Sequence, residues 1–314
     1  MRLSPRSVWV IGVVVLCGLI ALPFIVPMFW INLLTEILIL GLAGMSVNLL
    51  LGYGGALPFG HAAFYAAGAY AAAVLLKKTA LHPAAVLIVS PFIAMALGAI
   101  LGFLIARLYR FYYAMMTTAF SMLVWTLIRK LPSITNGDDG ITGVKVMDAL
   151  TGVNNIYFFC LIVVGLCVFL LWRIVNSPFG WSLRAIRENS VRTTFIRIDV
   201  VKHRYVAFVV SSFFCGIAGM LYVVYSHGTF PDYAYWTKSA DLVMVCILGG
   251  MLTFWGPIVG AAVLTILHTL TTSITMYWPL VIGCIICLVV LLLPDGVIGR
   301  LEREQVQGEN EIEK

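Results

Sequence analysis

Residues 242–294 contain no Asp, Glu, Lys or Arg, and the same is true of 8–30, 37–76, 84–106, 111–128 and 156–172. Runs of this kind leave few folds open. Hydrocarbon offers no hydrogen bonds, so a spanning chain must satisfy every backbone N–H and C=O within itself, in helices or in a closed barrel. Barrel strands need about ten residues of alternating polarity, whereas each of these runs has the length of a spanning helix, about 20 residues. Composition agrees: 61% of the 314 residues are hydrophobic and 11% charged, with a mean hydropathy of +1.01. The expectation is an all-α polytopic integral membrane protein, one membrane domain over 1–314 with about ten helical segments.

Arg2 and Arg6 precede the first run as they would a secretory signal, but the run exceeds an h-region and ends in Pro23 and Pro27 without a small-x-small cleavage pattern. It reads as a retained anchor. The seven cysteines all lie in apolar segments, and Cys284 and Cys287 have no second Cys/His pair to complete a metal set. Packing is the role expected of them.

Lys and Arg collect in short cytoplasmic loops. With the N-terminus inside, fourteen of the twenty fall on the cytoplasmic side, and only Lys77, Lys78, Arg129, Lys130, Lys145 and Lys238 on the other. Both termini are therefore expected in the cytoplasm, and the net charge of +6 is a topology signal, with no nucleic-acid partner implied. Helices are expected at 8–30, 31–51, 57–76, 84–106, 111–130, 156–175, 204–225, 240–255, 257–273 and 276–293. The last three share one apolar stretch divided by Gly249-Gly250, Gly256-Pro257 and Pro279. Residues 131–155 form an outer loop and 176–203 a cytoplasmic one, with the acidic tail after Gly299 a solvated end. Gly54-Gly55-Ala56-Leu57-Pro58-Phe59-Gly60 and Gly249-Gly250-Met251-Leu252-Thr253-Phe254-Trp255-Gly256 both read Gly-Gly-x-Leu-x-Phe before a further Gly. Such paired interruptions point to repeats flanking a transport pathway, or to chance likeness between glycine-rich segments.

No phosphate-binding loop, H-E-x-x-H or G-x-S-x-G is present, and no His pair has i, i+4 spacing. No catalytic or metal residue is expected, and the chain does not hydrolyse ATP by itself. In the cytoplasmic loop Pro178 and Gly180 break the preceding helix. Trp181, Leu183 and Ile186 supply apolar anchors among Arg184 and Arg187, and Asn189 or Ser190 can cap a short helix over about 191–198. Such a helix is either an interfacial anchor on anionic lipid or a rigid knob on which a soluble subunit pushes. Glu36 is an acid inside a span, a functional candidate by default, unless it lies at the outer headgroups. His61 beside the glycine-rich break is better placed to bond a freed carbonyl than to touch substrate. Asp138 and Asp139 either form the turn or offer a docking surface.

Ser177-Pro178-Phe179-Gly180 followed by Leu183-Arg184-Ala185-Ile186-Arg187-Glu188-Asn189 closely resembles the coupling loop of branched-chain amino-acid (Liv-type) ABC transporter permeases. So do Asn48 to Gly55 through Gly60-His61-Ala62-Ala63-Phe64, Thr135-Asn136-Gly137-Asp138-Asp139-Gly140-Ile141, and Leu248-Gly249-Gly250 with Trp255-Gly256-Pro257. The subunit resembled is the LivM-like one. The resemblance implies a permease in the bacterial cytoplasmic (inner) membrane, moving branched-chain or other apolar amino acids by alternating access. Its partners would be a second permease, two ATP-binding subunits carrying ATP and Mg, a periplasmic or lipid-anchored binding protein, and membrane lipid. No cofactor would reside in this chain. Coupling would fall to Arg184, Arg187, Glu188, Asn189 and Arg192, and outer docking to Asp138 and Asp139. The pathway candidates are Glu36, Asn48, Gly52, Gly54, Gly55, His61, Gly249 and Gly250. A similar permease for urea or short amides, and a self-sufficient channel or ion-coupled carrier, remain alternatives. One departure stands out: Arg197 occupies a position where the family pattern has glycine.

Overall fold

The structure, a computed structural model, describes residues 18–20, 22–23, 26–79, 82–108, 110–147, 150, 152–274, 277–292, 296 and 298–299. Most of the expected first helix and the acidic tail lie outside the described residues. Helices follow the apolar runs: α1 Met28–Asn48, α2 His61–Lys78, α3 Pro83–Ile105, α4 Arg110–Lys130 and α5 Val153–Val175. Two short helices come next, α6 Pro178–Glu188 and α7 Ser190–Phe195, then α8 Val200–Ser226, α9 Trp236–Gly249, α10 Gly256–Ile274 and α11 Trp278–Leu292. Among the described residues six helices are long and apolar enough to cross a membrane. The protein is an all-α integral membrane protein, and the sheet content among the described residues is the two-residue pairing of β1 (Ile141–Thr142) with β2 (Gly228–Thr229).

In α1 and α8, 78% of the most apolar window is buried, against 22–39% in the other spans, so these two are the most enclosed of the spans and the others turn more apolar surface outward. Small residues bring α2 and α8 together, as apolar association in lipid requires: a Cβ on Gly68 would run into the Gly216 carbonyl, and one on Gly219 into that of Tyr65. Phe64, Phe208 and His61 pack edge to face within this contact.

Several boundaries differ from expectation for local reasons. Pro27 caps α1 and moves its start to Met28. α1 ends in a π turn, Leu49–Tyr53, and Pro58–Gly60 stay out of α2, which starts at His61. The helix expected over 240–255 starts earlier and ends at Gly249, because Gly250 has φ 115° and the chain folds back so closely that a Cβ on Gly249 would strike the Gly256 carbonyl.

The bundle has two distinct ends. At one, α6 packs on the π turn, which in turn meets the 250–255 turn. At the other, β1 pairs with β2, Lys77 donates to the Thr142 carbonyl at 3.1 Å and Lys78 to that of Ser133.

Candidate functional site

The glycine-rich breaks are 195 residues apart in sequence (249 − 54) and meet in space. Asn48 Nδ2 donates to the Thr253 carbonyl at 3.1 Å, and a Cβ on Gly52 would collide with the Met251 carbonyl. Non-helical backbone at membrane depth is tolerated where protein covers it, and here each break covers the other. The space between Asn48, Tyr53, Leu171, Val175 and Phe254 is about 10 Å³, hardly one water.

α6 seals this junction from outside. Its Ser177 N-cap and Pro178 at the first helical position suit a helix start, and Leu183 and Ile186 are buried beneath it. From the same helix Arg187 Nη1 donates to the Gly52 carbonyl at 2.6 Å, an acceptor that the loosened π turn offers. Gly55 has φ 66°, and a Cβ there would approach Arg187 Cγ to 2.8 Å, so a bare backbone is what lets the arginine in. The Arg184 guanidinium lies 5.0 Å from the Tyr53 ring centroid and 4.7 Å from that of Trp181, cation–π distances.

Asn189 Oδ1 accepts from the Arg192 N–H at 3.0 Å and caps α7. α7 stops after Phe195, short of the expected 198. The Arg197 N–H donates to the Thr194 carbonyl at 3.0 Å and the Ile198 N–H to that of Thr193 at 3.4 Å, the paired bonds of a Schellman close. That close needs a left-handed residue, and Arg197 supplies it with φ 62°. Arginine thus keeps the backbone form for which glycine is the ordinary choice. Glu188 and Arg192 are exposed on the outer side of the loop, with Val191, Phe195 and Ile196 around them.

His61 is fully buried, with Nε2 2.7 Å from Ser211 Oγ; Ser211 in turn donates to the Ser46 carbonyl near the end of α1. It links α1, α2 and α8 and faces no open surface. Gly54 packs on the Leu50 carbonyl of the π turn, and Gly250 N–H donates to the Cys246 carbonyl at 3.0 Å. Glu36 lies apart from this junction, half-buried in the other half of α1.

At the opposite end Asn136, Gly137 and Gly140 all have positive φ, near 65°, the physical content of the Asn-Gly-Asp-Asp-Gly turn. Asp138 pairs with Arg129 through both carboxylate oxygens, Arg129 Nη2 to Oδ2 being 3.0 Å. That hydrogen-bonded guanidinium holds the Asp138 carboxyl below the usual carboxylate range. Asp139 is exposed beside it. Sequence reasoning missed the Arg129 partner and the tie of this loop to Gly228–Thr229, since neither has a local signature.

A family model described as branched-chain amino acid transport system / permease component matches residues 29–292. The high-affinity branched-chain amino acid transport system permease protein LivM of Salmonella typhimurium is 26% identical over 324 residues, covering 92% of this chain and 76% of that protein. The LivM of Escherichia coli K12 is 26% identical over 319 residues, covering 93% and 75%. The high-affinity branched-chain amino acid transport system permease protein LivH of Escherichia coli K12 is 26% identical over 132 residues, 41% of this chain and 42% of that protein. No solved structure matches the chain.

Proposed function

Since the chain belongs to the family of permease components of branched-chain amino acid transport systems, we propose that it forms one half of the membrane channel of an ATP-driven importer for apolar amino acids. The end that bears α6 and α7 faces the cytoplasm of a bacterial cell, with both termini on that side, and the β1–β2 end faces outward. A second permease, a LivH-like paralogue in this reading, completes the channel. Two separate ATPase subunits carry ATP and Mg, and one of them docks on the loop from Trp181 to Arg197. A binding protein delivers substrate to the 131–147 loop.

The observation that carries this reading is the bond from Arg187 to the Gly52 carbonyl. A push on α6 is delivered by that bond to the π turn of α1, and through Asn48 and Thr253 to the second break. Broken helices at the interface of two halves are where alternating access is built. Binding energy released when the ATPases close would be spent on moving these two segments together. The small, covered junction does little recognition, so selectivity rests with the binding protein.

The test is reconstitution. This chain, co-expressed with the second permease and the ATPases of its own gene neighbourhood, should accumulate radiolabelled leucine in vesicles only when binding protein and ATP are supplied. Leucine uptake by this chain alone without ATP would overturn the reading.

A further inference from the structure

Glu36 lies eight residues into α1 from Met28, about 12 Å along the axis. α9 runs parallel to α1, since Gly44 faces Val245 and Cys246 while Gly52 faces Met251. Lys238 adjoins Ser239, whose Oγ accepts from the Ala62 N–H at 2.9 Å, so it stands beside the start of α2.

The rings near Lys238 are phenolic. Lys238 Nζ is 5.8 Å from the centroid of the Tyr65 ring, whose centroid is 6.0 Å from that of Tyr222 and 6.3 Å from that of Tyr233. The hydroxyls of Tyr222 and Tyr233 are 2.9 Å apart and share a hydrogen bond. Glu36 is close enough for its charge to act on Tyr65, Tyr222, Tyr225 and Tyr233. Glu36 and Lys238 are both half-buried. Lys238 has Asp241 one turn further along α9, whereas Glu36 makes no hydrogen bond or ion pair among the described residues.

An ionisable group at membrane depth is expensive, and a carboxylate left without a partner more so. Here a carboxylate and an ammonium stand around one cluster of phenol rings. An α-amino acid carries the complementary set. Its ammonium suits a carboxylate and phenol faces, its carboxylate suits an ammonium, and its apolar side chain suits the remainder.

We infer that Glu36 and Lys238, with the half-buried Tyr222 and Tyr233 rings backed by the buried Tyr65, form a transit site that contacts the charged ends of the passing amino acid, Glu36 taking the α-ammonium and Lys238 the α-carboxylate. The inference rests on the importer reading above and adds to it a substrate contact away from the cytoplasmic junction.

The complete complex in proteoliposomes, with saturating binding protein, is assayed for radiolabelled leucine uptake and for binding-protein-stimulated ATP hydrolysis. ATP-dependent uptake by the wild type is the control that tests the importer reading separately. Glu36→Gln and Lys238→Met should each lower uptake about 10-fold or more, the loss expected for a charge-assisted contact, while stimulated hydrolysis stays within about 2-fold. Glu36→Asp should keep most of the uptake. Wild-type uptake in both neutral variants overturns the inference. A parallel loss of uptake and hydrolysis also overturns it, because that pattern belongs to residues that only hold the fold. The two side chains lie on different helices, so a folding defect in one variant leaves the other to decide by the same readings.

Discussion

Arg187 holds the carbonyl of Gly52 across 135 residues of sequence, by a 2.6 Å bond from a short amphipathic helix to the one turn of α1 that has lost α-helical register. Removing the guanidinium leaves that carbonyl without its charged donor, a loss of about 1.5–3 kcal/mol. Arg187→Ala should lower the melting temperature of the purified complex and reduce ATP-dependent leucine uptake more than it reduces ATP hydrolysis. Arg187→Lys, which can reach but not fork, should lie between. Uptake and hydrolysis that fall equally would show that the bond supports assembly and not transmission.

Glu188 sits one residue further on, exposed at the last position of α6, where no fold contact depends on it. In a docked complex its carboxylate is free to meet a basic group of the ATPase. Truncating such a charge at an interface costs about 2–5 kcal/mol. Glu188→Ala should express and melt as the wild type, yet lose most of its co-purifying ATPase subunit and with it most uptake. Full retention of both assigns the loop to lipid contact.

Arg197 makes a backbone prediction. A non-glycine residue in the left-handed region costs about 1 kcal/mol or somewhat more, and a β-branched one is the worst choice there. Arg197→Gly should keep uptake at the wild-type level and slow proteolytic cutting between 189 and 203, while Arg197→Ile should speed cutting and weaken ATPase association. Equal cutting of the two variants would show that the Schellman close is not what holds α7.

The Arg129–Asp138 pair predicts an acid-sensitive outer loop. The folded pKa of Asp138 lies below its unfolded value, about 3.9, so the stabilisation is complete above that value and is lost as the pH falls through the lower, folded one. Protection factors for hydrogen exchange in residues 131–147 should not change between pH 7 and pH 5, and Asp138→Asn should lower them at neutral pH. Asp139→Asn should leave exchange alone but raise the binding-protein concentration that half-stimulates ATP hydrolysis. If neither variant alters stimulation, the two aspartates are turn residues only.

Much of the architecture could be read from charge-free runs and their interruptions, because lipid imposes helices wherever the chain lacks charge. Pro178 and Asn189 announced α6 and α7 by local rules for starting and capping helices, whereas Gly180, expected to break the preceding helix, lies inside α6. The same rules placed the end of α9 too late, since Gly249-Gly250 in an apolar run can be tolerated or can turn the chain, and only the close approach to Gly256 decides. What stayed hidden is long-range. Nothing near Gly52 announces Arg187 or Met251, nothing near Asp138 announces Arg129, and the approach of Lys238 to the Tyr65 ring depends on how α2 and α9 pack. The likeness of the two glycine-rich segments hinted at their meeting, but a hint of kinship is not a contact.

The π turn at Leu49–Tyr53 means that α1 carries one residue of slack next to its most crowded stretch. Taking up that residue into α-helical winding would rotate everything on one side of it by about 100° relative to the other. Because α1 is buried from Ile39 through Asn48, such a change of phase could not be absorbed by lipid and would be imposed on α5, α8, α9 and α10 together. Two settings of one helix, with Arg187 as the catch between them, would give the bundle a stepwise response in place of a graded one.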